Sequence, residues 1–74
     1  MTNSDRAYVA YCALMKHVEE TGSEGEEGEV QVTDLLTNLR HLCSIMEVDF
    51  DESLAISLSR FREENAIFCK EPTI

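Results

Sequence analysis

The chain has 74 residues and a formal net charge of −9, from fifteen acidic against six basic side chains. That length holds one domain with a thin core, since a chain this short buries only about 60% of the surface its unfolded form exposes. The charge excludes a surface built for direct contact with nucleic acid or anionic lipid, because both need clustered lysine and arginine.

The first element predicted is a helix over residues 5–20, with Ser4 as its N-cap and Gly22 just beyond its end. Ala7, Tyr8, Tyr11, Leu14, Met15 and Val18 recur at the helical period and form one broad stripe. Lys16 and Glu20 add an i,i+4 pair on the wet side. Residues 21–29 then hold all three glycines and four glutamates, with nothing to bury, and read as an acidic flexible loop.

Val30-Gln31-Val32 alternates with period two and reads as a short extended piece. A second helix is expected over 33–47, capped by Thr33, with Leu35, Leu36, Leu39, Leu42, Cys43 and Met46 as its stripe. Either Asp49, with Glu52 three residues on, or Asp51 can cap a third helix over 50–64. Its stripe is Phe50, Leu54, Leu58 and Phe61, and Leu39, Leu42 and Phe50 are the core expected where these two helices pack. The last residues, Ala66 to Ile74, can lie extended beside Val30–Val32. The fold class expected is all-α: a compact three-helix domain, residues 1–74, with a flexible acidic loop between helices 1 and 2.

The N-terminal stretch has no basic segment followed by an apolar one, and no apolar run approaches the ~20 residues of a bilayer span. Cys12, Cys43 and Cys69 are odd in number and widely spaced, so they read as small buried hydrophobes in a reducing compartment. The expected location is therefore cytoplasmic, with no membrane partner.

Chemistry is sparse. Cys12 with His17 and His41 with Cys43 are five and two residues apart, so neither pair shares a helical face, and no CxxC or HxxxH occurs. The glutamate-rich loop lacks the ligand order of a calcium loop. His41 has no carboxylate one turn back to orient it, and Cys43 on the apolar stripe is an inert thiol. No metal, cofactor or catalytic residue is assigned, and the chain is expected not to be an enzyme. Two helices around residues 47–51 suggest a DNA-reading pair, but the second begins Asp-Phe-Asp-Glu, the wrong charge for a groove.

What remains is contact with other proteins. Val9, Ile45 and Ile56 each fall off the main stripe of their helix and can form a second apolar face for a partner or another copy. Glu47, Asp49, Asp51 and Glu52 cluster at the interhelical turn, beside the earlier run Glu19, Glu20, Glu24, Glu26, Glu27 and Glu29. Such carboxylates can stand in for phosphates in the basic groove of a nucleic-acid-binding protein, or simply complement helix dipoles and stay solvated. Asn38 and His41 lie at one edge of the second helix, where packing explains them least.

Residues 32–64 also carry a composite pattern: Asp34-Leu35-Leu36, Asn38-Leu39, His41-Leu42, then Asp49-Phe50-Asp51 and Arg60-Phe61-Arg62-Glu63-Glu64. It resembles a group of small uncharacterised helical proteins of bacteria and their phages and plasmids, with a DLLxDLxHL stretch followed by DFD. Asn38 departs from the aspartate of that pattern. The resemblance implies a helical domain from mobile elements and no activity. In length and acidity the chain is also similar to acyl carrier proteins, but Glu52 intrudes between Asp51 and Ser53 and the upstream glycine is missing. Ser53 is thus explained by its place at a helix start.

Together these readings give an acidic, non-enzymatic interaction module, self-associating or bound to another protein. Asn38, His41, Ile45, Glu47, Asp49, Asp51, Glu52 and Ile56 are its expected contact residues. The alternative is a nucleic-acid mimic that binds a basic DNA- or RNA-binding protein.

Overall fold

A computed structural model describes residues 1–66, and these form three helices in the order α1 (Asn3–Thr21), α2 (Gly28–Met46) and α3 (Phe50–Ala66). The protein is all-α. Helix α1 packs against α2, and α2 against α3.

Helix α1 starts earlier than expected because Thr2, not Ser4, caps it. The Thr2 hydroxyl accepts from the Asp5 backbone N–H at 3.1 Å, and the Asp5 carboxylate accepts from the Thr2 N–H at 3.0 Å. This reciprocal box satisfies two of the donors that every helix start leaves open. The same contacts, led by the Thr2 backbone N–H, hold the Asp5 pKa below its ordinary value. At the other end Gly22 takes the left-handed conformation, φ 73°, and both Gly22 and Ser23 donate to the Val18 carbonyl. Lys16 reaches Glu20 at 3.2 Å on the exposed side.

The largest departure from expectation is in the acidic segment. Helix α2 begins at Gly28, not Thr33, so Val30–Val32 is helical rather than extended. The connection is only Gly22–Glu27. It is closed by polar contacts from Ser23, whose hydroxyl meets that of Thr21 at 2.8 Å and whose carbonyl accepts from Gln31 Nε2 at 3.0 Å. Thr33 is no cap: its hydroxyl donates back to the Glu29 carbonyl at 2.8 Å.

Helix α2 stops at Glu47, which is left-handed with φ 61° although it is not glycine. Both the Glu47 and Val48 N–H groups donate to Cys43. Asp49 then caps α3, accepting from the Glu52 N–H at 3.0 Å, and this decides between the two aspartates. The suggested pairing of the C-terminal segment with Val30–Val32, and Cys69, lie outside the described residues.

The interior is nearly empty. Among the described residues only Val18 is buried, at 3% exposure. Leu39, Leu42 and Phe50, expected as core, are respectively exposed, exposed and half-buried, and Cys12 is exposed rather than buried. The three stripes form as helical patterns, but they do not close over one another.

Candidate interaction surface

The expected contact residues separate into two groups. Asn38 is used within the fold: its side-chain amide meets Nε2 of His17 at 2.8 Å, tying α2 to α1. Nδ1 of His17 is enclosed and has no partner among the described residues. Asp49 is spent as the α3 cap, and Asp51 accepts from Arg40 at 3.1 Å. The Arg40 guanidinium also lies 4.4 Å from the centre of the Phe50 ring, so one side chain pins the start of α3 through both charge and π-face. Asn38 and Asp49 are explained by structure and are weaker candidates for partner contact than the sequence alone implied, whereas Asp51 keeps one carboxylate oxygen without a partner among the described residues. Glu47 serves as the left-handed stop of α2. His41 and Glu52 are exposed, as are Ile45 at 81% and Ile56 and Val9 at about half.

The sequence reading missed the main apolar surface, because it assigned those residues to a core. On α1 and α2, Ala7, Ala10, Tyr11 and Leu14 face Val32 and Leu35 across an apolar recess of about 390 Å³. Farther along α2, Leu36, Leu39, Leu42 and Met46 remain exposed. On α3, Asp51, Leu54, Ala55, Ser57, Leu58 and Phe61 line a groove of about 470 Å³, with Leu54 at 44% and Phe61 at 60% exposure. The Ser57 hydroxyl donates to the Leu54 carbonyl at 2.7 Å, so it presents no unmet donor to whatever enters that groove.

Helix α3 is held at its two ends. Phe50 and Asp51 meet Arg40 at one end, while at the other Arg6 pairs with Glu64 at 3.4 Å and Asn3 donates to the Glu64 carbonyl. Exposed ion pairs of this kind contribute about 0–1 kcal/mol each. The apolar middle of α3 therefore stays accessible without being tied to α1 or α2 by strong contacts.

Among the described residues, no three His, Cys, Asp or Glu side chains come together in a way that could hold a metal ion. Nor is any of the described helices long and apolar enough to cross a membrane. In comparisons with family models, curated proteins and solved structures, nothing matches this chain.

Proposed function

We propose that this protein is a non-enzymatic, acidic interaction module whose helix stripes are completed by another protein surface. One observation carries the reading: large apolar residues on the main stripe of every helix stay exposed, while Val18 alone is buried among the described residues. Contiguous apolar surface of this kind marks a protein–protein contact site on a monomer. In this reading the compact three-helix domain suggested by the sequence is reached only in the complex. The resemblance of residues 32–64 to small proteins of phages and plasmids supports a role as an accessory factor of a mobile element, working in the cytoplasm.

The second reading is mimicry of nucleic acid. It is favoured by Glu24, Glu26, Glu27 and Glu29, which are exposed and unpaired among the described residues. It is weakened at the other cluster, where Asp49 and Asp51 have structural partners.

A nuclease-treated pull-down, compared between wild type and Leu42→Glu, separates the two. An apolar module keeps its partner, or its own untagged copy, through a high-salt wash and loses it with Leu42→Glu. A mimic releases a basic protein on raising the salt and ignores the substitution. Finding neither would sink both readings.

A further inference from the structure

We infer that the occupant of the α3 groove is the same groove of a second copy, with the two α3 helices antiparallel across a twofold axis. This rests on the interaction reading above and specifies its partner.

The argument is charge, and it selects a copy over an unrelated partner. Asp51, Ala55, Leu58 and Arg62 follow at i, i+4, i+7 and i+11, a single line down α3 spanning three turns, or about 16 Å. The line is acidic at one end, basic at the other and apolar between. A twofold interface must be complementary to itself. Antiparallel pairing about the midpoint of this line sets Asp51 of each copy against Arg62 of the other and Ala55 against Leu58. The small side chain of Ala55 lets two helix backbones approach, and Leu54 and Phe61 run along one side of the seam. Arg62 has no ion-pair partner among the described residues, and Asp51 uses only one carboxylate oxygen on Arg40. Both ends of the line are thus available to a second chain.

Ile56 does not belong to this seam. It lies on another side of α3, in a smaller recess with Ser53, Ser57 and Arg60. The self-association face therefore shifts from the off-stripe isoleucine to the Asp51–Arg62 line, which borders the main stripe at Leu58.

The test is a mixing experiment on the full chain, read by sedimentation or native mass spectrometry. Arg62→Asp alone sets acid against acid at both ends of the dimer, and Asp51→Arg alone sets base against base. Each variant by itself should dimerise at least ~10-fold more weakly, since opposed like charges cost several kcal/mol at an interface. Mixed in equal amounts, the two variants should form the heterodimer with near wild-type affinity, because both ends are then complementary. Helical circular dichroism of each variant checks that it is folded. A wild-type dimer indifferent to both substitutions, or variants not rescued by mixing, would overturn the α3 pairing while leaving the interaction reading standing. A wild-type chain that stays monomeric at high micromolar concentration would overturn self-pairing. The pull-down with Leu42→Glu then decides separately whether a different protein takes the surface.

Discussion

The two interhelical connections solve the same geometric problem with different residues. At the end of α1 and at the end of α2, two successive backbone N–H groups turn back onto one carbonyl, that of Val18 in the first case and Cys43 in the second. The left-handed residue that allows this is Gly22 at the first and Glu47 at the second. Glycine adopts that conformation without a steric cost, whereas a residue with a Cβ gives up roughly 1 kcal/mol. The first connection is also fastened by Ser23 and Gln31 and lies over the one buried side chain, while the second leads into a helix held by exposed charges. Among the described residues the one buried side chain belongs to α1, whereas α3 is held at its ends and leaves Leu54, Leu58 and Phe61 exposed.

Substitutions can sharpen or abolish that contrast. The largest effect is expected at Val18: replacing it with Asp puts an unpaired charge into the one buried apolar position among the described residues, and a loss of roughly 3 kcal/mol or more would appear as collapse of the cooperative melt. Gly22→Ala meets no neighbouring atom, so its cost is the dihedral alone, about 1 kcal/mol in denaturant unfolding. Glu47→Gly should work the other way and raise stability by about 0.5–1 kcal/mol. If both changes destabilise equally, the two connections are not geometrically equivalent. Arg40→Ala removes an exposed cation–π contact and an ion pair together; about 1 kcal/mol is expected, seen as faster amide exchange in α3 with α1 unaffected.

The smallest effect concerns pH. Because the folded-state pKa of Asp5 is depressed, its stabilisation is fully present above the unfolded carboxylate value and is lost as pH falls through the lowered one. Fraying of the first turn of α1 should accordingly appear only in acid, followed by backbone NMR shifts of Thr2 to Arg6. Asp5→Asn should abolish that pH dependence, whereas Thr2→Ala, which keeps the backbone N–H, should only weaken it.

Three helices were legible from periodicity, and so were Gly22 as a stop and the ambiguity between Asp49 and Asp51. These depend on local stereochemistry, which a sequence carries residue by residue. The start of α2 was not legible, because glutamate and glycine between two helices have low helical preference, and what recruits them is the Gln31 bond to Ser23, a contact across the turn. Asn38 looked unexplained for the same reason: its partner, His17, is on another helix. Leu39 and Leu42 were read as core because the pattern of a stripe is identical whether it faces its own chain or another. Periodicity identifies which face is apolar and is silent about what covers it.

The joint between α2 and α3 has one further consequence. Its three residues are fully committed: Glu47 stops one helix, the Val48 N–H closes the turn and Asp49 opens the next helix. Such a joint acts as a clutch plate between two shafts. One residue added within α3 just after Phe50 would rotate the rest of that helix by about 100° and advance it by about 1.5 Å relative to its anchor on Arg40. The Ala55–Leu58 line would then point a quarter-turn away, with every side chain of the line still present.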